Sequence, residues 1–159
     1  MMRARKRYRD ERGASLVEAA IVTPLLLLLT FGIVDFATLL YVNLALESGV
    51  SQATRYAVTG NLMEDPDNPG SQLSRPETIK AAMRKATPTL TIPDSAFSFS
   101  YMPADGSSWV AGTGGPGDIQ RVTVTYEWTP MTPLIKPFFP GGKVTLRVES
   151  TMKNEGRFE

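Results

Sequence analysis

The chain contains no cysteine and no histidine in its 159 residues. Without cysteine there is no disulfide framework and no thiolate metal site; without histidine there is no imidazole ligand and no Ser-His-Asp triad. The redox compartment stays open, because a cysteine-free domain folds in oxidising and reducing surroundings alike. Charge is also absent from one long stretch. Residues 19–34, AAIVTPLLLLLTFGIV, hold no Asp, Glu, Lys or Arg. The length leaves room for one modest domain and an appendage.

The charge that is present is unevenly placed. Overall net charge is +1, yet residues 1–12 (MMRARKRYRDER) carry six Arg/Lys and two Asp/Glu, a net +4, and the remainder carries a net −3. A basic run can be a solvated tail or a nucleic-acid contact. Directly before an apolar span it marks the end kept in the cytoplasm, so no nucleic-acid partner is expected. The charge-free residues make about 24 Å of helix, short of a hydrocarbon core of about 30 Å. Counting from Ala14 and tolerating Glu18 gives 21 residues up to Val34, enough to cross. Leucine at every position from 25 to 29 covers all faces of a helix, which places the segment in lipid rather than on a soluble surface. Pro24 deprives the Ala20 carbonyl of its partner and predicts a kink or local melt there, with Thr23 beside it to help.

The helical pattern continues past Val34. Phe36, Leu39, Leu40, Leu46, Val50, Ala53 and Ala57 recur at three- and four-residue spacing, with Asp35, Asn43, Glu47, Ser51 and Arg55 assigned away from that stripe. Gly60 is the expected stop. One helix from Ser15 to Thr59 would be about 65–70 Å long. Its first half, residues 14–36, would lie in the membrane. Its second half, 37–60, would be amphipathic and pack on a domain formed by residues 61–159.

Within that domain, residues 61–75 are rich in turn formers and read as a loop. Ser74-Arg-Pro-Glu77 has capping-box spacing and predicts a short helix from Arg75 to Lys85. The rest alternates with period two. Phe97, Phe99 and Tyr101 share a face, as do Val122, Val124, Tyr126 and Trp128, and Val144, Leu146, Val148 and Ser150. That pattern predicts an antiparallel sheet with one covered face, in an α+β fold where the long helix is the cover.

Three other stretches invite site readings. Gly112-Thr-Gly-Gly-Pro-Gly117 lacks the Lys-Ser/Thr ending of a phosphate loop and is expected to be a hairpin loop. TPMTPLIKPFFPGG, residues 129–142, reads as a long strand connection pinned to the core, with a partner contact as the other reading. Asp65 and Asp67, with Glu64 and Asn68, supply oxygen ligands without calcium-loop spacing. No metal, cofactor or catalytic constellation is expected.

The seam between the basic tract and the apolar run carries the sharpest signal. Ser15 and Glu18 fit a capping box, and an acid suits a helix N-terminus. A second reading joins Gly13 to Glu18. A peptidase cutting after Gly13 would remove the +4 tract and leave the Ala14 amine, positive near pH 7, as residue one. Glu18 would be residue five. A carboxylate in apolar surroundings needs a partner, and a neighbouring chain's Ala14 amine would fix axial register.

These residues resemble a known family. Gly13-Ala-Ser-Leu-Val-Glu18 resembles the cleavage motif of type IV prepilins. Residues 11–60, through ERGASLVEAAIVTPLLLLL, FGIVDFATLLYVNLAL and ATRYAVTG, resemble the TadE family of minor pilins in the Tad (Flp) tight-adherence system, and TMKNEGRF resembles that family's ending. The major pilins of the system usually have Tyr after the glutamate, whereas Ala19 stands here. The resemblance implies a pilin-like fold, cleavage after Gly13 by a prepilin peptidase, other pilins as partners, and a role in pilus assembly, adhesion and biofilm formation from the bacterial inner membrane. The competing readings are an uncleaved single-pass anchor with an extracytoplasmic binding domain, a secreted protein and, last, an enzyme.

Overall fold

A computed structural model of the chain describes residues 10–155, with side chains from Gly13 onward. Most of the basic leader, residues 1–9, and the Gly156–Phe158 part of the tail motif fall outside the described residues. A single helix, α1, runs Asp10–Val58 over 49 residues, about 73 Å. Within the described residues it is already helical at Asp10, five residues before the expected Ser15. Ser15 therefore lies inside the helix, and the Ser15–Glu18 capping box is not a helix start. The helix stays continuous through Pro24. After Val58 the chain turns at Gly60, as the sequence suggested.

Helix α2 (Arg75–Ala86) packs on α1. Ser74 occupies the N-cap position but its side chain makes no capping bond. The expected partner, Glu77, instead pairs with Lys80 at 2.7 Å. The two helices approach at Gly49. A Cβ there would sit 2.5 Å from Thr87 Cγ2 and 2.9 Å from the Met83 sulfur, so only glycine lets them meet this closely.

Four strands follow: β1 (Phe97–Met102), β2 (Val110–Ala111), β3 (Ile119–Trp128) and β4 (Val144–Lys153). They form one antiparallel sheet in the order β2-β1-β3-β4. The alternation expected of β3 and β4 holds. Val124 faces Val148 and Tyr126 faces Leu146 across the pair, on the side that α1 covers. Thr145, Arg147 and Glu149 point to water. The core comes from α1 (Val42, Leu46, Val50, Ala53, Ala57), α2 (Ile79, Met83) and the sheet (Val122, Val124, Val148).

The glycine-rich stretch is not a hairpin loop. It joins β2 to β3, and those strands lie on opposite sides of β1. The chain must therefore cross the end of β1, against Tyr101. Gly114 sits at φ +66, and a Cβ there would come 2.9 Å from the Tyr101 side chain.

The helical stripe also needs correction. Phe36 and Leu40 face outward, and Asp35 is buried at 2% exposure. Asp35, Leu39, Val42 and Leu46 follow one another at steps of four, three and four residues, so the acid stands on the covered meridian. Phe36, Leu40 and Leu44 form a separate outward ridge.

Candidate functional site

The seam residues lie on the first turns of α1. Gly13, Ala14 and Glu18 are all exposed. A Cβ at Gly13 would meet nothing within 4 Å, and its φ is not in the left-handed region. Among the described residues neither space nor backbone conformation calls for glycine there. Ala14 and Glu18 are four residues apart, one above the other on one face. Among the described residues Glu18 has no hydrogen-bond or ion-pair partner.

Every residue from Gly13 to Thr30 is exposed, including Leu16, Ile21 and the whole leucine run. Among the described residues one helix is long and apolar enough to cross a membrane. A lone N-terminal apolar helix of this kind fits a single-pass anchor.

Asp35 closes the apolar stretch, and the structure gives it a role that the sequence reading missed. Its carboxylate accepts the backbone N–H of Met131 at 2.8 Å, the N–H of Thr132 at 3.3 Å and the Thr132 hydroxyl. A buried carboxylate supplied with several donors is compensated for its lost water. It thereby ties residues 129–142 to the helix, which is the pinned connection expected of that stretch. Ile135 reaches Gly32 on the same helix, 3.7 Å from where a Cβ would stand. Met131, Leu134 and Phe138 are exposed all the same.

A second polar node lies at the far end of α1. The Arg75 guanidinium donates to the carbonyls of Gly114 at 2.7 Å and Ala57 at 3.1 Å, and to the side-chain oxygens of Asn154 at 2.9 Å and Gln120 at 3.2 Å. Burial pulls its pKa below the ordinary value while nearby Asp118 opposes the shift. The Ala57 carbonyl belongs to the last turn of α1, where a cation suits the helix dipole. Asn154 also donates to the carbonyls of Thr113 and Gly115 at 3.3 and 2.8 Å, and the Glu155 N–H reaches the Val58 carbonyl at 2.9 Å. One side chain thus holds together the helix end, the crossover loop and the end of β4. No pattern in the sequence announced it, because its partners are carbonyls and amides scattered along the chain.

The acidic stretch 64–68 spends its oxygens on its own loop. Asp65 accepts from the Asp67 N–H at 3.0 Å and from Asn68 at 3.1 Å, and Glu64 accepts from the Gly70 N–H at 3.1 Å. The hydrogen bond from Asn68 is the main cause that lowers the Asp65 pKa.

The family model described as TadE-like protein matches residues 13–55. The match begins at Gly13 and runs through the apolar span into the half of α1 that packs on the domain. It supports a protein related to the Tad pilus. No curated protein and no solved structure matches the chain.

Proposed function

We propose that this protein is a TadE-like minor pilin or pseudopilin that takes part in assembling a Tad (Flp) type IV pilus for surface adhesion, after a prepilin peptidase cuts between Gly13 and Ala14. In this reading residues 1–13 are the leader, held in the cytoplasm by their positive charge. Residues 14–36 cross the inner membrane, 37–60 pack on the domain, and 61–159 fold outside the cytoplasm. The function is structural, not catalytic.

The observation that carries the reading is Glu18, a carboxylate at the edge of a lipid-facing helix with no partner in its own chain among the described residues. Its own Ala14 amine, one turn away, is created only by cleavage. Another processed chain offers the same amine, and pairing across chains fixes their axial offset. Gly13 adds support. A glycine inside a helix costs about 0.5–1 kcal/mol relative to alanine, and among the described residues no contact repays it. A peptidase that must approach the backbone closely supplies a reason. The outward ridge of Phe36, Leu40 and Leu44 gives neighbouring pilin helices an apolar face beyond the membrane.

The alternative is an uncleaved anchor bearing a binding domain. It draws on the helix running unbroken from Asp10 through the seam. Substitution Glu18→Ala separates the two. Assembly predicts unchanged membrane insertion but a fall of about tenfold or more in sheared pili, since removing the acid leaves the neighbour's ammonium uncompensated in apolar surroundings, a loss above about 1.4 kcal/mol. Normal pilus yield from this variant would refute the register role.

A further inference from the structure

We propose that the connection spanning residues 131–139 is a second membrane contact, in which Leu134 and Phe138 insert into the outer leaflet beside the point where α1 leaves it and Lys136 meets the lipid phosphates. This rests on the reading of residues 14–36 as the membrane-crossing half of α1.

Position comes first. Twenty-one helical residues from Ala14 to Val34 span about 31 Å, close to one hydrocarbon core. Gly32 and Asp35 therefore lie at its outer boundary. The loop is held at that level by two independent ties, the Asp35 carboxylate on Met131 and Thr132 and the Ile135 side chain against Gly32. It cannot rise away from the bilayer surface without breaking both.

Its exposed surface suits that level. Met131, Leu134 and Phe138 are 70%, 48% and 75% exposed. Phe36 of the helix lines one cleft with Ile135 and Phe139 of the loop, so apolar surface runs from span to loop. Part of its backbone is spent internally, which lowers the cost of an apolar setting. Four of the residues from 129 to 142 are proline. The N–H groups of Met131 and Thr132 go to Asp35, and those of Phe138, Phe139 and Gly142 go to carbonyls within the loop. Lys136 carries the only charge in that stretch. A lysine with its stem in the interface and its ammonium among phosphates is the usual arrangement at such a depth. The contact would fix how deep the helix sits and how the domain stands on the membrane before any extraction.

The absence of cysteine makes the test clean, since each introduced thiol takes one label. Full-length Phe138→Cys, Leu27→Cys and Ser107→Cys variants are labelled with an environment-sensitive fluorophore and reconstituted into phosphatidylethanolamine–phosphatidylglycerol vesicles. Leu27 probes the span; Ser107, exposed in the β1–β2 connection at the opposite end of the sheet, probes water. The proposal expects blue-shifted emission at 27 and 138, quenched at least twofold more than at 107 by nitroxide-bearing lipids. Water-like emission at 138 with quenching at 27 would overturn the loop contact and leave the spanning helix standing. Blue-shifted but unquenched emission at 138 would assign the face to a second protein copy, which also overturns it. Lack of quenching at 27 would remove both the span and the contact built on it.

Discussion

The two halves of α1 are equally helical, yet they differ in composition and in surroundings. From Leu16 to Leu29 the large apolar side chains point in every direction, and all are exposed. From Leu39 onward the helix acquires sides: Leu46, Val50, Ala53 and Ala57 disappear into the core, while Leu40 and Leu44 stay out. The first half has the all-round character of a segment solvated by lipid, and the second has the stripe of a segment packed on protein. Asp35 marks the change. In the proposed reading the length of the helix has a use: one element couples the depth of a membrane half to the orientation of the domain.

Core truncation should break the comparison most sharply. Leu46→Ala is expected to lower the domain's unfolding free energy by about 4 kcal/mol, whereas Leu27→Ala should shift it by less than about 0.5 kcal/mol. Urea titrations of the full chain in detergent micelles, followed by Trp109 and Trp128 fluorescence, would read both. Equal losses would mean that the halves do not behave separately. Next comes the node that closes the packed half. Arg75→Met removes hydrogen bonds to four groups and should cost about 2 kcal/mol, with faster proteolytic nicking of the crossover loop at residues 112–118. Stability unchanged within error would show that the node is dispensable.

The smallest expected effect concerns pH. With no histidine, no side chain of ordinary pKa titrates between pH 5 and 8. The Arg84 hydrogen bond, with some opposition from desolvation, lowers the pKa of Asp94, and Asn68 lowers that of Asp65. Carboxylates with depressed folded pKa contribute stability above their unfolded value of about 4, and lose it as pH falls through the folded value. Both are surface groups, so the contribution is small. The domain's Tm should stay within about 2 °C from pH 8 to 5 and decline only below about pH 4. A midpoint near pH 6 would contradict this.

Much of the fold was legible because it rests on periodicity. The long helix, the short α2 and the alternating faces of β3 and β4 all follow from where apolar residues recur. The candidate seam was legible too, as a glycine and an acid at fixed spacing. Features set by tertiary partners were not. Asp35 reads as a polar-side residue because it is charged, although its spacing to Leu39, Val42 and Leu46 puts it on the buried side; the donors that make this tolerable lie almost a hundred residues away. Phe36 and Leu40 read as inward residues because they are apolar, although their spacing places them on another face. The glycine-rich stretch has hairpin composition, but its crossover path depends on β2 pairing with β1 rather than β3.

The proposed function requires that the chain be shortened at Gly13. Intact-mass spectrometry and N-terminal sequencing of the protein isolated from its native host test this directly. A chain beginning at Ala14 is expected, as is a Gly13→Val variant that retains its first thirteen residues. A native protein that begins at Met1 or Met2 would contradict it.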